Sequence, residues 1–188
     1  MKEYKLELCG VKRVLPFIPI DGKRAFASFV VIGDTEMVSA CASALAERIG
    51  TVDAIVTAEA KGIALAYEIS RILGLKEFIV ARKSTKNYMR NTVSASLHSI
   101  TTSGEQNLYL DGTDAEKIRG KNVCLLDDVI STGESLLALE ALMKNADASV
   151  VKKAALLAEG EAALRDDIIF LQKLPLFYKT EEGDYEAL

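Results

Sequence analysis

Short runs of consecutive apolar residues alternate along this chain with longer stretches whose apolar positions recur every three to four residues. Val52–Thr57, Phe78–Ala81 and Val123–Leu126 read as buried strands, and Ser149-Val-Val151 leads through Ala154–Ala158 as a further one. Between them, Asp34–Arg48, Ile63–Leu73 and Leu136–Met143 have helical spacing. Asp34 stands where an N-cap belongs, with Met37 opening the apolar face, and Gly74 stops the second helix. Apolar strands alternating with helices predict an α/β fold: a doubly wound, mainly parallel sheet with helices on both faces.

Two regions break this rhythm. Residues 84–112 are rich in Ser, Thr, Asn and Gly and hold only the short pieces Val93–Leu97 and Gln106–Leu110, which predict a hairpin around Ser103-Gly104. An insertion of that length inside an α/β domain suits a flexible lid over a site. The chain ends, including Leu15–Pro19 and everything from Glu159 onward, read as irregular.

At 188 residues the chain suits a single domain, with a core over about residues 30–158. Its formal charge of -4, with no long basic run, argues against a general nucleic-acid or membrane-surface role. Cys9, Cys41 and Cys124 are widely spaced and His98 is the single histidine, so neither a disulfide framework nor a structural zinc site is expected. No apolar run approaches membrane-spanning length and the first residues lack a signal-peptide layout, which makes a cytoplasmic setting the expectation.

Ligands of open parallel sheets bind beyond the carboxyl ends of the strands, and three such ends carry chemistry here. After the first strand, Thr57-Ala-Glu-Ala-Lys-Gly62 offers small residues, a cation at Lys61 and the start of a helix. The second strand ends in Arg82-Lys83, with Lys86 close behind. The third ends in two carboxylates, Asp127-Asp128, followed by the turn Ser131-Thr132-Gly133-Glu134-Ser135 at a helix opening. A helix N-terminus presents unpaired N–H groups and a favourable dipole to an anion. Adjacent carboxylates would repel that anion, which assigns them to sugar hydroxyls or a cation. Together the three ends suit a substrate with two phosphate-bearing ends joined by a polyol, with Mg²⁺ bridging its oxygens.

Leu125-Leu-Asp-Asp-Val-Ile-Ser-Thr-Gly-Glu-Ser135 closely resembles the binding motif of the type I phosphoribosyltransferases. The resemblance extends over about residues 30–158, and Arg82–Lys86 and Ser94–Ser99 are similar to the adenine and xanthine enzymes. It implies transfer of phosphoribosyl from 5-phosphoribosyl-1-pyrophosphate (PRPP) to a nucleobase, giving a nucleoside monophosphate and pyrophosphate, in a homodimer. Asp127 and Asp128 would hold the ribose 2- and 3-hydroxyls, and Ser131, Thr132, Gly133, Glu134 and Ser135 would wrap the 5-phosphate. Ala60, Lys61, Gly62, Arg82, Lys83 and Lys86 would meet the pyrophosphate, whose charge Mg²⁺ neutralises. A small hood from residues 1–29 and 159–188 would cover the base, with Phe17, Ile18 and Glu159 facing it by position.

Departures from the family pattern refine this picture. Hypoxanthine–guanine enzymes usually carry an Asp where Ser131 stands, which argues against that subgroup. Adenine-type loops usually have a second Gly at the place of Glu134, and the lid shows Ser96–Ser99 instead of the adenine enzymes' Tyr-Leu-Glu-Tyr. A PRPP-sensing regulator of the same fold is the alternative. The segment before Asp34 is short for a DNA-binding domain, and the intact Lys61, Arg82 and Lys83 favour turnover.

Overall fold

The computed structural model describes residues 2–98 and 105–188, with two five-stranded sheets and one hairpin among them. The central sheet runs β10 (Ile169–Leu174), β9 (Ser149–Glu159), β8 (Asn122–Ile130), β4 (Ala54–Ala58), β5 (Ile79–Ala81), and every neighbouring pair is parallel. Parallel pairing requires crossovers: α2 (Ile63–Ile72) links β4 to β5, α3 (Gly112–Ile118) lies on the way from β5 to β8, α4 (Glu134–Asn145) links β8 to β9, and a 3-10 turn links β9 to β10, while α1 (Thr35–Ile49) leads into β4.

Successive residues of β8 point to opposite faces, as the pleat dictates. Cys124 and Leu126 pack with Met37, Leu45, Leu65 and Ile69 of α1 and α2, whereas Val123 and Leu125 pack with Ile118 of α3 and Leu139 and Leu142 of α4. Burial on both faces explains why β8 reads as a continuous apolar run.

The predicted helices are present. Asp34 caps α1 by accepting the Met37 N–H at 3.0 Å. Its carboxylate also accepts two bonds from Arg13, at 2.7 and 2.8 Å, which fastens the second sheet to the first helix. Gly74 takes a left-handed φ of 71° just past the end of α2.

The chain ends are not irregular. β1 (Glu3–Leu8), β2 (Val11–Pro19), β3 (Arg24–Ala27), β11 (Leu176–Lys179) and β12 (Tyr185–Ala187) form a second, antiparallel sheet over α1. Pro16 and Pro19 hide the strand character of β2. Pro16 opposes Glu3, where the β1 ladder ends, and its carbonyl still accepts from Ser28 N–H at 2.9 Å. β10 joins the central sheet, so the core continues past residue 158 and the added sheet consists of residues 3–27 and 176–187.

β6 (Val93–His98) and β7 (Glu105–Leu110) form the expected antiparallel hairpin. The turn expected around Ser103-Gly104 lies outside the described residues. The base of the hairpin is tied to the sheet by reciprocal bonds between Arg82 and Tyr109, at 2.8 and 2.9 Å, and by Asn145 Nδ2 donating to the Ser94 carbonyl at 2.8 Å. No helix among the described residues is long and apolar enough to cross a membrane.

Candidate active site

The two carboxylates lie within β8 rather than at its tip, because pairing with β9 continues to Ile130. Their environments differ. Asp128 is buried, and both of its oxygens lack a hydrogen-bond partner. The nearest cation is Lys61 Nζ, 3.5 Å from Asp128 Oδ1, too long for a good hydrogen bond. Asp127 is half-buried and lines a small cavity of about 80 Å³ with Ser131, Thr132, Gly133, Glu134 and Ser135. Burial first, and the neighbouring Asp128 charge second, push the Asp127 carboxyl up to about 7.

The loop after β8 turns sharply into α4. Gly133, at φ 81°, occupies the N-cap, a left-handed conformation that glycine adopts without steric cost. Its Cα faces the Arg165 guanidinium, since a Cβ there would sit 2.8 Å from Arg165 Nη1. Ser131, Thr132 and Ser135 are exposed, and Ser131 Oγ accepts the Thr132 N–H at 2.6 Å. The loop thus gathers three hydroxyl side chains, a glycine and a helix N-terminus around one cavity.

Next to it, the turn after β4 contains a cis peptide between Glu59 and Ala60. Gly62 is required by close approach rather than by φ, since a Cβ there would collide with the buried Thr57 Oγ1. Glu59 is a residue that the sequence reading passed over. Its carboxylate accepts the Lys83 N–H at 2.9 Å and lies 3.5 Å from Arg82 Nε, joining this turn to the end of β5. These contacts, the Lys83 bond above all, lower its pKa. Ala60 and Lys61 are exposed beside it, as is Lys83. Lys86 donates from Nζ to Ser84 Oγ at 2.8 Å.

A second cavity of about 340 Å³ opens between the two sheets. Lys61, Ser131 and Glu159 give it polar groups, and its apolar wall includes Ile20, Phe26 and Phe29. Burial raises the Glu159 pKa, against lowering by a hydrogen bond from Ser131 and the charge of Lys61. Of the three residues expected at the base, Glu159 lines this cavity and the other two do not. Phe17 turns into the second sheet's own core, its ring 4.7 Å from those of Phe177 and Tyr185, and Ile18 is exposed. The aromatic residues at the cavity come instead from β3 and the segment after it, which the sequence reading did not resolve as an element. A separate cavity of about 400 Å³ between α1 and α2 has Glu47 as its one charged lining residue and lies away from these groups.

No group of three His, Cys, Asp or Glu side chains is assembled to hold a metal among the described residues. The two unpartnered, buried oxygens of Asp128 beside Asp127 nevertheless fit a hydrated cation or hydroxyl donors. That donor set suits Mg²⁺, which keeps most of its water and takes only one or two carboxylates plus substrate oxygens.

The chain has relatives among known proteins. The curated xanthine phosphoribosyltransferase of Clostridioides difficile is 27% identical over 137 residues, covering 70% of this chain and 71% of that protein. A hypoxanthine/guanine phosphoribosyltransferase of Methanococcus voltae is 34% identical over 116 residues, 61% of this chain and 58% of that enzyme's length. By structure, an adenine phosphoribosyltransferase from Thermoanaerobacter pseudethanolicus superposes with a TM-score of 0.68 at 23% identity, covering 85% of this chain and 95% of that one. The phosphoribosyl transferase domain model matches residues 32–181, which spans the β4, β5 and β8 strand ends, and the chain belongs to that family.

Proposed function

We propose that this protein is a purine phosphoribosyltransferase, transferring phosphoribosyl from PRPP to a ring nitrogen of a purine and releasing pyrophosphate. The observation that carries the reading is the meeting of three parts at one end of the sheet. These are the hydroxyl-lined loop cavity with Asp127, the pair of Lys61 from the turn after β4 with Asp128, and the 340 Å³ cavity that shares Ser131 with the first and Lys61 with the second.

In this reading the 5-phosphate rests on Ser131–Ser135, held by N–H groups and hydroxyls. Asp127 and Asp128 accept hydrogen bonds from the ribose hydroxyls, as charge-assisted acceptors. Lys61, Arg82, Lys83 and Lys86 face the pyrophosphate with the Ala60 and Gly62 backbone, and Glu59 holds their two segments together. Mg²⁺ would bind through Asp127, Asp128 and substrate oxygens and supply charge neutralisation at the pyrophosphate. Catalysis is then chiefly positioning and electrostatic stabilisation of an oxocarbenium-like sugar and its departing anion. Residues 84–112 act as a lid that keeps water from the activated sugar.

The base would lie between Phe26, Phe29 and Glu159. The relatives are named for xanthine, hypoxanthine/guanine and adenine, so hypoxanthine and guanine stay among the candidate bases despite Ser131. The test is a panel of adenine, xanthine, hypoxanthine, guanine, uracil and orotate with PRPP and Mg²⁺. Pyrophosphate release with one or more purines is expected. Release with none of them, despite binding of PRPP, would overturn the reading.

A further inference from the structure

The loop assigned to the 5-phosphate has an electrostatic deficit. Residues 127–135 contain Asp127, Asp128 and Glu134 and neither lysine nor arginine. Lys61, the cation nearest the carboxylate pair, is directed at Asp128. A positive charge from elsewhere in the chain would add to what the N–H groups, hydroxyls and helix N-terminus offer a dianionic phosphate there.

Arg165 provides one. It follows the short 3-10 turn Gly160–Leu164 after β9, far from the motif in sequence. Nε donates to Asp167 Oδ1 at 2.8 Å and Nη2 to Asp167 Oδ2 at 2.7 Å, a two-pronged bond that fixes the plane of the guanidinium. Asp167 is itself held by Lys153 Nζ at 2.9 Å, and Lys153 pairs with Glu140 of α4. The pair with Asp167 raises the Arg165 pKa and holds the Asp167 carboxyl below its usual range. The remaining nitrogen, Nη1, is the one that approaches Gly133, the left-handed residue at the start of α4.

We infer that Arg165 is a further 5-phosphate-binding residue, delivering a fixed guanidinium to the Ser131–Ser135 loop from outside the motif. The same contact accounts for glycine at 133 on steric as well as conformational grounds, since a side chain there would displace the guanidinium. The inference rests on the reading of residues 131–135 as a 5-phosphate loop, and its test separates the two.

Ribose 5-phosphate and inorganic pyrophosphate are titrated separately into the full chain at low and high salt, using wild type, Arg165→Gln and Arg165→Lys. R165Q should weaken ribose 5-phosphate by about tenfold, equivalent to ~1.4 kcal/mol, and flatten its salt dependence. Pyrophosphate affinity should be unchanged in R165Q. R165K keeps a charge without the two-pronged anchor, so its binding should fall between the others and stay salt-sensitive. Unchanged ribose 5-phosphate binding in R165Q, equal losses for both ligands, or R165K as weak as R165Q would each overturn the inference. If R165Q does not fold, Arg165→Met, which retains the aliphatic stem, replaces it under the same criteria. A wild type that binds pyrophosphate but not ribose 5-phosphate would instead remove the loop assignment, and the inference with it.

Discussion

Asp127→Asn should stabilise the ligand-free protein at alkaline pH while weakening its hold on the sugar. Burial and the Asp128 charge lift the Asp127 carboxyl from 3.8 to about 7. At 1.36 kcal/mol per tenfold change in acidity, that gap corresponds to an upper bound of roughly 4 kcal/mol. Asp127 is half-buried, so water relaxes around its charge and about 2 kcal/mol is the expected observable. The sign follows from proton linkage. Between pH 4 and 7 the folded state binds more protons at this site than the unfolded state, so stability falls as pH rises. The contribution is fully present below the unfolded value of 3.8 and is lost as pH passes the folded value of about 7.

Asparagine removes this dependence. Its own packing offset is independent of pH, so the informative quantity is the difference between variant and wild type. Urea unfolding of both, without ligands and at intervals from about pH 4 to 8.5, gives that difference directly. It should climb by about 2 kcal/mol across the range and level off above pH 8. Other titrating groups, Glu159 among them, are common to both proteins and largely cancel. A difference flat with pH would refute the claim that the folded state holds Asp127 against ionisation. In the same variant, ribose 5-phosphate affinity should fall, because one acceptor for its hydroxyls is gone. Stability gained with function lost is the expected behaviour of a charge kept for binding rather than folding.

Three further outcomes follow from contacts already described. Gly62→Ala should cost about 1–3 kcal/mol by overpacking against Thr57, and the double change Gly62→Ala with Thr57→Ala should recover most of it in thermal melts. Lys61→Gln removes the cation nearest the buried Asp128, so pyrophosphate affinity should drop about tenfold by calorimetry, with a lowered melting temperature. Glu159→Gln should raise the KM for the purine and leave the KM for PRPP unchanged. Because burial raises the Glu159 pKa, the wild-type KM for purine should change with pH above the ordinary carboxylate range, and E159Q should abolish that change.

Legibility in the sequence tracks how local each feature is. α1 and the end of α2 were readable because a cap or a left-handed glycine announces itself within a few residues: Asp34 with Met37, Gly74 after Leu73. The buried parallel strands were readable because both faces of β8 are covered, leaving an unbroken apolar run. β2 was not, since Pro16 and Pro19 resemble a loop until their places in the ladder are known. β10 shows only partial burial along most of its length, an edge-strand pattern without a continuous run. α3 is a single short helix whose cap, Asp111, precedes only two buried residues, too few to set a period.

The same distinction divides the site. The sugar-phosphate half is written in continuous segments, because a phosphate loop needs successive N–H groups and two strand residues can bring carboxylates together. Even there, the sequence alone does not say that Asp127 and Asp128 meet different neighbours, the loop cavity and Lys61 respectively. The proposed base half is assembled from Phe26 and Phe29 near one end of the chain, Glu159 after β9 and Leu174 in β10, which meet only where the second sheet docks on the first. Phe17 was the natural choice from sequence, yet its side chain is committed to Phe177 and Tyr185, and that choice is fixed by pairing β2 with β3 and β3 with β11. Base preference should therefore respond to changes in how the two sheets dock. Arg13→Ala, which unfastens β2 from Asp34 and Glu36 without touching either cavity, should raise the KM for the purine more than that for PRPP. Equal changes in both constants would show that the base is held by the central sheet alone.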